Sequence, residues 1–387
     1  MQSPAISYLA PTTFTADKSC SDYYWHRELL QKWHNIYTHS SSNSSDNESF
    51  DDGEERISFI NYGSYILLST LLAEKLRSQI SLVIRSDGKE HEQFNNSNDS
   101  SSNKSLRIGI AIPEGPFLPL YILSVHSLNV GIGESWLTNN TTLNKCNGVV
   151  LVPLEADEAP DRLQHMLVDS SPNLILVAAG QDMENMKKVT SNISTSIQLV
   201  DYAQLLEEVF AEMQNIDIFS ISEQLWPLGI RNDTMDSIRY PHAIPGECYD
   251  VARLVAIGVV RLKSSSFSTQ SALLSTTQSQ QSARRTVSHS VYTSGTTGKP
   301  KGCVSSLASL QHYIRAKNSA HGIDASSKIL LASAITFDPC FSDILATCVA
   351  NATLCIVPRD QLYSRNDGYG TVGSDVKMKI ISGIIYN

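Results

Sequence analysis

The sequence predicts a layered α/β fold with largely parallel sheets. Short apolar runs of strand length alternate with segments whose apolar residues recur at helical spacing, the pattern of helices laid on a parallel sheet. The 387 residues are 41% hydrophobic and 18% charged, enough for a sizeable core in one large domain or in two or three smaller ones. A loop rich in glycine and hydroxyl residues, 291–302, begins with Val291 and Tyr292, which suit the end of a strand.

Residues 1–22 carry no clear pattern. An amphipathic helix is expected over 23–37, with Trp25, Leu29, Leu30 and Trp33 on one side and His26 and His34 on its surface. The Ser/Asn/Asp run 39–53 reads as a loop or disordered linker. The folded region is expected to begin near Arg56, with a strand at 57–60. A helix follows over 64–77, where Leu67, Leu68, Leu71, Leu72 and Leu76 share a face. After a polar insert at 86–105 come a buried strand at 107–112 and a helix from Pro116 to about Leu128, with Pro119 tolerated in its first turn. The Gly/Asn/Thr-rich stretch 130–147 reads as a loop, followed by a strand at 149–154. Asp157 is expected to cap the next helix, which has Pro160 in its first turn and Leu163, Met166 and Leu167 inward. A strand is expected at 174–178. Between 182 and 246 the pattern is weak, with a helix suggested at 205–210; beyond it another helix is suggested at 250–262. The Ser/Thr/Gln-rich stretch 263–290 reads as an inserted linker, leaving His289–Tyr292 as the remnant of a strand. Beyond the glycine-rich loop, a helix is expected over 304–317 with Leu307, Leu310 and Ile314 inward, then a strand over 328–334. A turn over 336–343 leads into a helix bearing Phe341, Ile344, Leu345, Cys348 and Val349, and a strand follows at 353–357. Residues 368–387 are weakly patterned.

The formal net charge of −9 argues against general binding to nucleic acid or anionic membranes, which calls for a basic footprint. No apolar run approaches the length of a membrane span, and the first residues lack the basic-then-apolar order of a signal peptide. Seven cysteines (20, 146, 248, 303, 340, 348 and 355), odd in number and without a CxxC pair, read as free thiols in a cytoplasmic protein. No metal-ligating residue is assigned. The Asn-x-Ser/Thr sequons, such as those at Asn43, Asn98, Asn140 and Asn351, matter only in a secreted protein.

The stretch Val291-Tyr-Thr-Ser-Gly-Thr-Thr-Gly-Lys-Pro-Lys-Gly302 carries the chemistry. Gly295 and Gly298 let the backbone turn and approach a ligand closely, and freed N–H groups with the hydroxyls of Thr293, Ser294, Thr296 and Thr297 make an anion-binding concavity. Lys299 and Lys301 add positive charge on either side of Pro300, whose fixed backbone lets them diverge. The common P-loop is excluded: Thr293 stands where its first glycine belongs, and Pro300 where Ser or Thr must follow the lysine. The helix expected from Val304 would aim the positive end of its dipole at bound phosphates.

This string resembles YTSGTTGxPKG, the phosphate-binding loop of the adenylate-forming (AMP-binding) superfamily, which includes acyl-CoA synthetases and the adenylation domains of nonribosomal peptide synthetases. The resemblance extends to Val152-Pro-Leu-Glu-Ala-Asp-Glu-Ala-Pro-Asp-Arg-Leu-Gln-His-Met-Leu-Val-Asp-Ser-Ser-Pro-Asn-Leu-Ile-Leu176, similar in order and spacing to "VPLDPxxPxxRLxxML.DSxPxLLL". Within it, His165 and Asp169 are expected on the helix surface. Residues 59–76 look more loosely like the family's "LTYxEL" helix. The resemblance implies an incomplete N-terminal subdomain of the adenylate-forming fold at 56–362, after an N-terminal extension over 1–55 and before a tail at 363–387.

The resemblance further implies adenylation of a carboxylate with ATP and Mg²⁺. It assigns Thr293, Ser294, Gly295, Thr296, Thr297 and Gly298 to the triphosphate and Lys301 to charge neutralisation, while Lys299 falls at a variable position. Phe337-Asp338-Pro339-Cys340 is similar to the "FDxS" of amino-acid-activating members, with Cys in place of Ser, and makes Asp338 the partner of a substrate α-ammonium. A buried carboxylate needs such a partner. The alternative reading has Asp338 capping the helix that follows. The "GPTE", "TGD" and C-terminal lysine segments are not found after Asp360, so the chain is expected to be an incomplete portion, inactive alone. Coenzyme A or a phosphopantetheine carrier domain is the implied acyl acceptor in a full-length form. Two other readings stand beside this one: an acyl-CoA synthetase for a non-amino carboxylic acid, and a non-catalytic nucleotide-binding remnant.

Overall fold

The computed structural model describes residues 4–9, 29, 32, 57–61, 65, 68–69, 71–80, 105–129, 148–193, 197–213, 286–294, 298–350, 352–356, 379–381 and 384–386. The expected helix at 250–262 and the polar stretches 39–53 and 263–285 lie outside them.

Two six-stranded sheets organise the described residues. The first is built from β3 (Leu106–Ala111), β4 (Val149–Pro153), β5 (Leu174–Val177), β6 (Gln198–Asp201), β7 (Val287–Thr293) and β8 (Lys301–Ser306), in the order β6-β5-β3-β4-β7-β8. Every pairing is parallel except β7 with β8, which form an antiparallel hairpin. Parallel neighbours need crossovers, and α1 (Phe117–Ser127), α2 (Pro160–Ser170) and α3 (Gln181–Thr190) supply the first three. β3, β4 and β5 read as nearly continuous apolar runs because both of their faces are covered. One face meets α1, the helical run 71–80, α4 (Tyr202–Met213) and α6 (Asp338–Ala350), in a core that continues to β9 (Lys328–Leu330) and β10 (Thr353–Ile356). The other face meets α2 and α3 through Leu163, Met166, Leu167, Met186 and Val189. Successive residues divide accordingly: Leu151 and Val291 pack on the first face, Val152 and Tyr292 on the second.

The second sheet has the order β11-β12-β9-β10-β1-β2, where β1 is Pro4–Leu9, β2 is Ile57–Asn61, β11 is Lys379–Ile381 and β12 is Ile384–Tyr386. Its centre, β9-β10-β1, is parallel and its other pairings are antiparallel. The first residues of the chain, patternless by themselves, thus form an interior strand. Leu68, Leu71, Leu72 and Leu76 are buried as their spacing predicts, as are Leu307, Leu310 and Ile314 of α5 (Leu307–His321).

Three expectations are corrected. Asp157 does not cap α2: Ala159 is the N-cap, without a side-chain hydrogen bond, and Pro160 begins the helix with its fixed φ. Residues 304–306 are not helical but complete β8, because pairing with β7 satisfies their backbone. Ser306 caps α5 by accepting from the Ser309 N–H. The stretch before the glycine-rich loop is a full strand and not a remnant: β7 runs from Val287 and pairs with β4 at Leu151 and His289.

Candidate functional site

The site forms around β7 and the loop that follows it. Period-2 alternation sends His289, Val291 and Thr293 to the α6 face of the sheet, and Ser290 and Tyr292 to the α2 face. On the α2 face, the Tyr292 hydroxyl donates to Asp169 Oδ2 at 2.7 Å. Burial, then this contact with a carboxylate, pushes the Tyr292 hydroxyl well above its ordinary value, so it stays a donor. His165, four residues back on α2, donates Nε2–H to the Pro300 carbonyl at 3.1 Å. Gly302 lies in the same contact: a Cβ there would meet Asp169 Oδ2 and the Tyr292 ring at 3.3 Å. His165 and Asp169 were expected as bare surface positions. They are instead the two points at which α2 holds the hairpin, a pairing invisible in sequence because it joins positions 123 and 135 residues apart.

The described ends of the loop flank this support. Thr293, Ser294, Gly298, Lys299 and Lys301 are exposed while Pro300 is buried, so the proline pins the loop between two solvated lysines. Gly298 has φ +81°, a left-handed conformation that favours glycine. Gly295, Thr296 and Thr297 lie outside the described residues. Lys301 stands opposite Thr293 in the hairpin register, and cross-strand partners project to one face. That is the face of His289. The helix dipole expected at the loop is absent: β8 intervenes, and α5 starts at the far end of the hairpin, where Ser306 pairs with Val287.

Asp338 arrives from α6, where it is the first helical residue, and accepts a hydrogen bond from His289 Nε2 at 2.8 Å. This bond from His289 holds the Asp338 carboxyl below its ordinary value against a smaller opposing effect of burial. His289 is itself fixed, with its side chain 1% exposed, its ring stacked on Phe341 at 4.9 Å and Nδ1 3.1 Å from Ser288 Oγ. One premise of the sequence reading is corrected: Asp338 is not a buried carboxylate awaiting a partner, since its side chain is 64% exposed and already bonded. Its second oxygen, Oδ2, accepts no hydrogen bond among the described residues. The preceding turn is tied to the sheet, with the Thr336 hydroxyl donating to Glu155 Oε1 at 2.9 Å just beyond β4.

These residues suit a polyphosphate: exposed hydroxyls, a glycine with positive φ and a lysine share one loop on a rigid hairpin. Among the described residues no group of three or more His, Cys, Asp or Glu side chains could hold a metal ion. None of their helices is long and apolar enough to cross a membrane. Sequence reasoning missed His289 and Glu155. The signal for His289 was a lone histidine at an inward position of the strand before the loop.

Comparison with known proteins gives the family. The family model described as AMP-binding enzyme matches residues 147–369, more than half of the chain. The protein therefore belongs to the AMP-binding enzyme family. Over 69 residues, 18% of this chain, it is 39% identical to the delta-poly-L-ornithine synthetase of Acinetobacter baumannii, of which those residues are 5%. Over 130 residues, 34% of the chain, it is 27% identical to malformin synthetase of Aspergillus sclerotiicarbonarius, covering 2% of that protein. The chain thus spans a small fraction of the length of these curated relatives. Among solved structures, it is similar to a fatty acyl-adenylate ligase from L. pneumophila in complex with acyl adenylate and pyrophosphate. There the TM-score is 0.43 and the identity 12%, over 87% of this chain and 42% of that one.

Proposed function

We propose that this chain serves the ATP-dependent adenylation of a carboxylate, with an amino acid as substrate. The observation that carries the reading is the shared face of Thr293, Lys301 and the His289–Asp338 pair, which supports a polyphosphate and an ammonium group bound on one side of the hairpin. An oxygen of the substrate carboxylate attacks the α-phosphorus of ATP. The acyl–oxygen–phosphorus bond forms as the bond to pyrophosphate breaks, and the electron pair leaves with pyrophosphate. Thr293, Ser294, Gly295, Thr296, Thr297 and Gly298 bind the triphosphate, and Lys301 offsets the charge that grows on the leaving group. Asp338 Oδ2 pairs with the α-ammonium. Mg²⁺, which the resemblance implies, would supply further charge neutralisation on the phosphates. Residues 56–362 form the adenylating region, and a carrier domain or coenzyme A accepts the acyl group in the whole protein.

A second reading is favoured by the exposure of Asp338 and its bond to His289. A carboxylate already satisfied needs no ammonium, which suits a ligase for a simple carboxylic acid. ATP–pyrophosphate exchange separates the two, run with each proteinogenic amino acid and with a series of straight-chain acids. The first reading expects exchange with one or a few amino acids, lost in Asp338→Ala. Exchange with plain acids, indifferent to Asp338→Ala, replaces it with the second. Nucleotide binding without exchange for any carboxylate supports a non-catalytic role.

A further inference from the structure

We propose that His289 is a positioning residue that presents Asp338 to a cationic group of the substrate. The proposal rests on the amino-acid reading above and names the residue that makes it work. A carboxylate 64% exposed in the first turn of a helix is free, by itself, to sample several rotamers. The bond to His289 removes that freedom, and the imidazole is a rigid anchor. It sits in the interior of β7, stacks on Phe341 with an angle of 9° between the planes, and has both ring nitrogens engaged, by Ser288 and by Asp338. Only Oδ1 is used, so Oδ2 is aimed and left open.

The choice of histidine has an electrostatic consequence. In the neutral ring, Nε2–H donates to Asp338 while Nδ1 accepts from the Ser288 hydroxyl, and the pair keeps one net negative charge. A lysine or arginine in the same place would orient the carboxylate equally well but cancel its charge and repel an ammonium ligand. The other titratable group interacting with His289 is His126 of α1, which is fully buried and whose ring nitrogens have no partner among the described residues. His289 and Thr293 lie on the same strand, so one strand carries both the anchor of the ammonium site and the start of the phosphate loop.

The test uses the full-length protein and its His289→Phe, His289→Gln and Asp338→Asn variants. His289→Phe keeps a ring against Phe341 and removes the donor, whereas His289→Gln keeps an N–H donor. In ¹⁵N imidazole spectra, the wild-type His289 should carry its proton on Nε2. In pyrophosphate exchange, His289→Phe should raise the amino-acid KM about tenfold, the effect of losing one charge-assisted hydrogen bond, with kcat and the KM for ATP nearly unchanged. His289→Gln should recover most of the loss. If Asp338→Asn abolishes amino-acid-dependent exchange while His289→Phe leaves the KM unaltered, the positioning role falls and the amino-acid reading stands. An equal fall in kcat and in affinity for both substrates, with a lowered melting temperature, would assign His289 a packing role and overturn the proposal. Absence of amino-acid-dependent exchange in the wild type would remove the amino-acid reading and this inference with it. The spectra would then assign the bond to folding alone.

Discussion

On one face of β7, Tyr292 reaches an exposed aspartate of α2; on the other, His289 reaches an exposed aspartate of α6. The two contacts are of similar length, 2.7 and 2.8 Å, yet they do different work. Asp169 is spent on the hairpin: it accepts from Tyr292 and lies against Gly302, and His165 of the same helix holds Pro300. Asp338 is held by one oxygen and keeps the other open. The α2 face therefore holds the hairpin, while the α6 face leaves one carboxylate oxygen open. A strand between two layers can support a site on one side and present it on the other, because successive side chains point oppositely.

Four perturbations test this division, from the largest effect to the smallest. Phe341→Ala removes a fully buried ring and the stack under His289. It should cost about 3–5 kcal/mol in urea unfolding, whereas Val168→Ala on the solvent side of α2 should cost under about 0.5 kcal/mol. Similar losses for the two would mean that the α6 face is not the packed one. Lys301→Ala should lower pyrophosphate exchange about 100-fold by removing a cation from the presenting face, while Lys299→Ala should change it by less than about twofold. Equal effects would undo the assignment of roles by hairpin register.

The third concerns acid stability. Burial, with a smaller contribution from nearby His289, lowers the His126 pKa from 6.5 to about 3. The unfolded chain therefore takes up a proton between those values that the folded chain refuses, so stability is full above the ordinary value and falls as the pH drops below it. By pH 5 the loss should be about 2 kcal/mol, absent in His126→Leu, as measured by urea unfolding at pH 7 and pH 5. A parallel decline in the variant would place the acid sensitivity elsewhere. The smallest effect is on the supporting face. Tyr292→Phe leaves Asp169 unpaired near the surface and should cost about 1 kcal/mol. It should raise the KM for ATP a few-fold and leave the KM for the amino acid alone. A change in the amino-acid KM of the same size would show that the two faces are coupled.

Much of this was legible in the sequence. Apolar spacing located β3, β4, β5, α2 and the inward faces of α5 and α6, because a buried stripe repeats at the period of its element. The loop 293–301 was legible because its chemistry is contiguous. Elements that owe their form to neighbours were not. β1 has no pattern of its own and is a strand because β10 and β2 flank it. Residues 304–306 lie ahead of an apolar stripe that suits a helix, yet their hydrogen bonds go to β7. At Asp157, an acidic residue ahead of a helix suggested a cap that Ala159 occupies.

The sequence by itself determined the class of fold and the family, since both are written in local order: the alternation of apolar runs, the glycine-rich loop, and the motif from Val152 to Leu176. Tertiary structure decided how the charged residues are used. Asp169 and Asp338 are both carboxylates at helix positions next to apolar residues, and nothing local separates them. One became a brace and the other an open acceptor because the two faces of β7 brought Tyr292 to the first and His289 to the second, across 123 and 49 residues of chain. Hydrogen bonds depend on distance and direction in space, and chain separation leaves no trace of either.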